Sequence, residues 1–317
     1  MPGPGLPFMT GIVHFDRSIG EYFYSPHSAP RASVPSGTTI LIETRDPRSG
    51  AILIGAPGTF QAYPPPPGGK TNALTGPVGI LGAEPGDVVS IHVLSISLAE
   101  TGYMAAGDFG WVVPFGRIGD RSIGIVGCRD GYVYWRNGMR FPVRPMIGEM
   151  GVATITGAKS GSIGANGGNF DCSLISPGCS VYIPVLVPEA LLYVGDVHAS
   201  MGDGELSCGG VEIAAEVGLR VNLIKQVPLL APRLETPDRI VTLGWGREFA
   251  EARAMVVEEM IGIMEASMRV SAVEALMLIS ATGDLRIGQA CGTMDMTVRL
   301  EMPRLPGLTV LPEQTTR

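Results

Sequence analysis

The sequence predicts a mainly β protein, with a β-sandwich or barrel-like N-terminal portion and a C-terminal α+β portion. Three observations lead there. Apolar and polar residues alternate at period two in the first two thirds of the chain, as in half-buried strands. Turn formers are abundant, with 44 glycines and 26 prolines among 317 residues. Helical spacing of apolar residues is confined to the last seventy or so positions. Runs of strands followed by helices, without βαβ alternation, suit a sandwich or barrel with an appended α+β unit. The expected division is a β-rich region over 1–235, an α+β region over 236–303, and a tail over 304–317.

The elements follow in order. GTTILIETRD (37–46) is rich in β-branched residues and follows the turn Pro35-Ser36-Gly37, so a strand is expected. YPPPPGG (63–69) must be a loop, because consecutive prolines remove ladder donors. After Pro85-Gly86-Asp87, the segment GDVVSIHVLSIS sets Val89, Ile91 and Val93 on one face and Ser90 and His92 on the other. CSVYIPVLV (179–187) follows the turn Pro177-Gly178 and reads as another strand. Phe249 to Met268 carries Ala, Met, Val and Glu at helical spacing, and Ser271 with Glu274 forms a capping box for a second helix through Ser280. In the last strand Met296, Val298, Leu300 and Met302 face one way, and Thr297, Arg299 and Glu301 the other. Beyond Pro303 an extended arm is expected.

Composition excludes several classes. A net charge of −7 argues against nucleic-acid partners, which need basic surface. Charged residues are 17%, below the usual ~25%, so disorder is not expected. No uncharged apolar stretch reaches the ~18 residues of a membrane helix, and MPGPGLPFMTG lacks the pattern of a signal peptide. A cytoplasmic protein is the expectation. Mean hydropathy of +0.26 with few charges suggests apolar surface hidden in a homo-oligomer, a dimer or larger. The five cysteines form no CxxC pair and are expected as small buried hydrophobes.

Gly68-Gly69-Lys70-Thr71 looks like the end of a phosphate loop, but its first glycine would fall on Pro64, so the motif fails. Gly161–Gly164 is a glycine-rich turn without the flanking elements of a dinucleotide site. The informative stretch is 166–212, which holds Asp171, Asp196, His198, Asp203, Glu205 and Glu212. In an extended chain, residues two apart share a face. That pairs Asn169 with Asp171, Asp196 with His198, and Asp203 with Glu205. An imidazole among carboxylates can hold a divalent metal with open positions, leaving one carboxylate to move a proton. Turn residues and an ordinary polar histidine would produce the same letters. His92 is expected as a half-buried, hydrogen-bonded strand residue, whereas pattern says little about His14 and His27. Asp46 ends its strand as a turn residue or a site residue.

GGNFD (167–171), Pro184-Val185 and GDVHASMGDGE (195–205) resemble the acetamidase/formamidase family, and the likeness extends in order. TGPVGILGAEPGD (75–87), the strand 41–46 ending at Asp46, RPMIGEMGVA (144–153) and EALMLISATGDLRIGQ (274–289) are all similar to family segments. The resemblance implies metal-dependent hydrolysis of a short amide, formamide or acetamide, to ammonia and a carboxylate, on a β-sandwich. Asn169, Asp171, His198, Asp203, Glu205 and Asp46 match the family's motif positions. Their chemistry suggests Asp171, His198 and Asp203 as metal ligands, Glu205 as general base, and Asn169 and Asp46 as substrate contacts. Zinc is favoured by the imidazole, and calcium or magnesium would suit the oxygens. Glu21, Tyr24, Glu149, Cys172 and Met201 depart from the family pattern, so a larger amide is an alternative substrate. A sandwich module that binds a ligand or metal without turnover is the alternative of another class. A covalent nucleophile is disfavoured, because no GxSxG elbow occurs and none of Lys70, Lys159 and Lys225 has amidase-like surroundings.

Overall fold

Period-two alternation builds the first sheet. In Thr38–Thr44 every second residue is buried, from Thr38 through Ile40 and Ile42 to Thr44. This strand lies between Val13–Phe15, which pairs with it in parallel, and Ala215–Ile224, which pairs antiparallel. The computed structural model of the chain describes residues 11–52, 55–64, 67–107, 118–291 and 295–311. The N-terminal MPGPGLPFMT, two prolines of the 63–69 run and the last six residues lie outside that set. Among the described residues the sheet continues through Val88–Leu98, Ser180–Pro184, Arg233–Glu235, Arg239–Gly246, Met296–Pro303 and Asp284–Ile287, nine strands in all.

A second sheet of six strands runs Ile163–Gly164, Gly167–Asn169, Met146–Val152, Leu192–His198, Leu74–Ile80 and Ala32–Val34. One apolar cluster draws Ile40, Ile91, Ile183 and Leu219 from the first sheet and Val78, Ile147, Leu192 and Val194 from the second. The two sheets are therefore the halves of a sandwich. A third sheet centres on Ser122–Arg129, which pairs with Phe60–Ala62, Thr101–Ala106 and Tyr132–Tyr134. Strands take 41% of the described residues and helix 12%, so the protein is mainly β. The three long inner strands Leu74–Ile80, Met146–Val152 and Leu192–His198 are buried along their whole length. One face packs on the first sheet, and the other is covered by the residues described below.

Helix α1 (Phe249–Met268) buries Ala252, Val256, Met260, Ile263 and Met264, spaced at a helical period. They pack on Val298, Leu300 and Met302 of the last strand, and each of the larger four is worth roughly 1.5–3 kcal/mol of burial. The opposite face of that strand is also buried. Thr297, Arg299 and Glu301 are all at most 5% exposed, so the alternation marks two interior surfaces, one apolar and one polar. The segment beyond Pro303 is docked as far as it is described. Leu308 and Val310 join the helical core, and the Val310 carbonyl accepts from Arg233 Nη1 at 2.8 Å.

Helix α2 (Ala272–Thr282) starts at the expected cap. Ser271 Oγ accepts from the Glu274 backbone N–H at 3.3 Å, and Glu274 Oε2 accepts from the Ser271 N–H at 2.8 Å. Among the described residues no helix is long and apolar enough to cross a membrane. Ser271→Ala is expected to remove the reciprocal cap and cost about 0.5–2 kcal/mol, read as a lowered urea midpoint. An unchanged midpoint would show that α1 alone holds this corner in place.

Candidate active site

Two neighbouring strands of the second sheet supply the centre of the site. Glu149 lies on Met146–Val152, and Asp196 and His198 lie on Leu192–His198. Ile147 and Met150, three residues apart, both reach the sandwich core, and so do Val194 and Val197. The strict alternation therefore slips on both strands, around Gly148 and Asp196. Asp196 has φ 52°, a left-handed conformation uncommon for a residue with a side chain. Gly148 is required there, since a Cβ would lie 2.6 Å from Asp171 Oδ1 and 2.8 Å from the Asp196 carbonyl. Gly210 gives similar clearance to His198, where a Cβ would come within 2.9 Å of Nδ1.

His198 is fully buried, with Nε2 at 3.1 Å from Glu212 Oε2 and 3.6 Å from Asp196 Oδ1. These are ion-pair distances without hydrogen-bond alignment. Both ring nitrogens lack a hydrogen-bond partner among the described residues, as do Asp171 Oδ1, Glu205 Oε2 and Glu212 Oε2. Such orphaned buried atoms are rare and need an explanation. The donors form two overlapping groups, Asp171–His198–Glu205 and Asp196–His198–Glu212, each with its ligand atoms within 4.8 Å of one another. One imidazole among carboxylate oxygens suits a divalent cation.

The electrostatics agree. Burial, reinforced by neighbouring acids, pushes the Glu205 carboxyl up to about 8, against the opposing pull of His198. Burial and the Asp196 charge likewise push Glu149 up to about 8. Burial raises Asp171 well above the carboxylate range, and Glu212 is raised as well. For His198, burial favours the neutral ring, but Glu212 and Asp196 outweigh it and raise the imidazole. Around the acids, Glu149 Oε1 accepts from Tyr24 Oη and from the Gly161 N–H, each at 2.8 Å. The Gly161 turn thus holds a site carboxylate. Asn72 Nδ2 reaches Glu149, Asn169 and Asp196 at 3.3–3.4 Å.

The C-terminal strands buttress the site loops. Thr297 Oγ1 donates to the Phe170 carbonyl at 2.8 Å, and Gln289 Nε2 to the Asn169 carbonyl at 2.9 Å. Arg299 Nη2 donates to Asp203 Oδ2, and Nε to Glu301 Oε1, both at 2.7 Å. A disulfide joins Cys208, just after the site loop, to Cys291. Cys128, Cys172 and Cys179 are the expected small buried hydrophobes with free thiols, whereas Cys208 and the buried Cys291 are joined.

The expected site residues are partly brought together. Asp171, His198 and Glu205 converge, and Asn169 Nδ2 donates to Asp171 Oδ2 at 2.6 Å. Asp203 does not join them. Its carboxylate accepts from Arg299 and from Ser173 Oγ, and the guanidinium outweighs burial to lower its pKa. The two-apart rule fails because 203–205 is a turn, not a strand, with Gly204 and Glu205 at φ 98° and 44°. Asp46 serves its turn: Oδ1 accepts from the Arg48 N–H and Oδ2 from the Gly50 N–H, both at 2.8 Å. Asp196 and Glu212 take the places beside His198. Glu212 was legible only as an acid after the pair Gly209-Gly210, and it reaches His198 through an isolated antiparallel bridge. Asn72 carried no signal. His92 is half-buried and lies 3.1 Å from Ser180 Oγ, as expected.

Asp196, Glu205 and Glu212 face a cavity of ≈280 Å³ whose walls include Arg48, Tyr63, Tyr103, Arg121 and Asn169. Fold and site together define a β-sandwich protein with an enclosed acid–imidazole centre, the equipment of a hydrolase. Residues 143–237 match the acetamidase/formamidase family. The structure is similar to that of an acetamidase from Bacillus halodurans, with 32% identity and a TM-score of 0.85 over 92% of this chain and 97% of that one. An acetamidase from Yersinia enterocolitica superposes with a TM-score of 0.84 at 27% identity, over 93% and 92% of the two chains. A formamidase from Methylophilus methylotrophus is 27% identical over 49% of this chain and 52% of its own length. The chain spans about half or less of the length of the curated relatives it matches. It belongs to the acetamidase/formamidase family, a family of amidohydrolases.

The raised carboxyl of Glu149 carries a pH signature. The folded state keeps this proton up to about pH 8, whereas an unfolded glutamate loses it near 4.3. Folding stability therefore falls as pH rises through that window. Glu149→Gln is expected to flatten the decline of Tm between pH 5 and 8 and to be the more stable form at pH 8. Parallel Tm profiles for the two proteins would show that Glu149 is ionised in the fold.

Proposed function

We propose that the protein hydrolyses the carbon–nitrogen bond of a short amide, releasing ammonia and a carboxylate, with a divalent cation at His198. The observation that supports this reading is the set of orphaned, buried donor atoms around His198, beside acids that line the cavity. His198, Asp196 and Glu212 are the residues that would hold the ion, with Asp171 behind them. When bound, it offsets the clustered negative charge and polarises the amide carbonyl. Asp203, neutralised by Arg299, is left out of the set. The imidazole favours zinc, and the number of oxygens leaves calcium and magnesium as alternatives.

Glu205 faces the cavity and is the proposed general base. Burial raises its carboxyl above the usual carboxylate range, toward neutral pH, where a group can both take and return a proton. It removes a proton from the attacking water as the new carbon–oxygen bond forms. It then delivers the proton to the departing nitrogen as the carbon–nitrogen bond breaks, so ammonia leaves and the acid remains. Asn169, on the cavity wall, is placed to orient the amide, while its side-chain N–H holds Asp171 in position. Association of like chains is part of the proposal, since α2 exposes Val273, Leu276 and Met277, an apolar face that a second copy would cover.

Two variants separate the roles. Glu205→Gln keeps shape but cannot accept a proton, so turnover is expected to fall about 10²–10⁴-fold with the metal retained. His198→Ala is expected to lose metal and activity together. Elemental analysis beside ammonia release from formamide and acetamide reads both. Metal lost from Glu205→Gln but kept in His198→Ala would reverse the assignments. Full activity of metal-free protein after chelation would end the metal proposal.

A further inference from the structure

Resting on the amide-hydrolase reading, we propose that Arg48 and Tyr103 form an anion subsite in the cavity. The amide substrate then carries a carboxylate at the end remote from the bond that is cleaved.

Arg48 is only 7% exposed, yet no described carboxylate forms an ion pair with it. Its Nη1 has no hydrogen-bond partner among the described residues. The guanidinium lies 4.0 Å over the ring of Tyr63, a contact that places a cation without neutralising it. Burying an unmatched charge is costly, and the cost is recovered when a ligand brings the anion. Tyr103 supplies a second donor of the same kind. It is 4% exposed, and its hydroxyl has no partner either. Both residues line the cavity that Asp196, Glu205 and Glu212 face.

The arrangement is held in place. The Asp46 carboxylate accepts from the Arg48 and Gly50 N–H groups, and the Asn72 N–H donates to the Pro47 carbonyl at 3.0 Å. The turn bearing Arg48 is thus tied to the residue that touches three site side chains. The cavity, at ≈280 Å³, has room beyond what a one- or two-carbon amide fills. Buried carboxylates and an arginine share its walls, so a neutral two-carbon amide leaves the arginine unanswered. A monoamide of a short dicarboxylic acid answers both ends. Its hydrolysis consumes one water, breaks the carbon–nitrogen bond, and yields ammonia and the dicarboxylate with no further reactant.

The test compares malonamate and succinamate with the uncharged butyramide and valeramide, by ammonia release from the purified, metal-supplemented protein. The wild type is expected to favour the charged amides in kcat/KM by more than about tenfold. Arg48→Met is expected to lower kcat/KM for the charged amides by ~10²-fold, at least tenfold more than for the neutral ones, and Arg48→Lys to recover part of the loss. Calorimetric titration with succinate and with butyrate reads the subsite without turnover, and succinate is expected to bind the wild type more tightly. Preference for the neutral amides, or equal losses on both series in Arg48→Met, would overturn the proposal. Should Arg48→Met fail to fold, the wild-type preference and the two titrations decide alone. If no amide is cleaved but succinate still binds in an Arg48-dependent way, the subsite stands and the amidase reading falls.

Discussion

The cost of taking carboxylates out of water governs this structure. Glu149, Asp171, Asp196, Glu205 and Glu212 are all at most 7% exposed, and His198 is the one imidazole among them. Charges of one sign in a dry space repel strongly. Such a group persists only if the surrounding protein leaves the side chains no other place to go. The strands beneath them are therefore buried on both faces, and glycines stand wherever a Cβ would collide with an acid or with the ring. Backbone N–H groups of Gly161 and Gly210 point at carboxylate oxygens, a partial answer to their charge.

The C-terminal portion belongs to that arrangement. Its last strand turns one face to α1 and uses the other to grip the carbonyl of Phe170 and the carboxylate of Asp203, while Gln289, just before it, holds the carbonyl of Asn169. Arg299 is the buried cation of this layer, and its charge is already spent on Asp203 and Glu301. The acids around His198 therefore receive no guanidinium from behind, which leaves their charge to be balanced from the cavity side. A helix-backed strand here works as a rigid wall for loops that would otherwise spread under their own repulsion.

Much of the fold was legible because period two and period 3.6 are written plainly in segments such as 38–44 and 249–268. The capping box at Ser271 was legible too, since it depends on two residues three apart. The site was legible only where spacing survives into three dimensions. Asp196 and His198 do share a face. Asp203 and Glu205 do not, because a left-handed turn replaces the extended chain that the rule assumes. Asn72 and Arg48 come from segments distant in sequence from the motif string, and Glu212, though in that stretch, meets His198 through an isolated bridge that its spacing does not announce. The polar face of the last strand was visible as alternation. That it points inward could not be read, since Thr, Arg and Glu ordinarily mark a solvated face.

Three of the clustered acids, Asp171, Asp196 and Glu205, adopt left-handed backbone angles, at φ 46°, 52° and 44°. Each such residue costs roughly 1–3 kcal/mol relative to an ordinary conformation, in addition to the cost of burying its carboxylate. Strained backbone and costly buried charge thus coincide at these three residues. Glycine at any of the three would relax both at once, so random variation selected for thermal endurance alone should drift toward glycine at these positions. The most durable version of this sandwich would then be one that has lost the acids around His198.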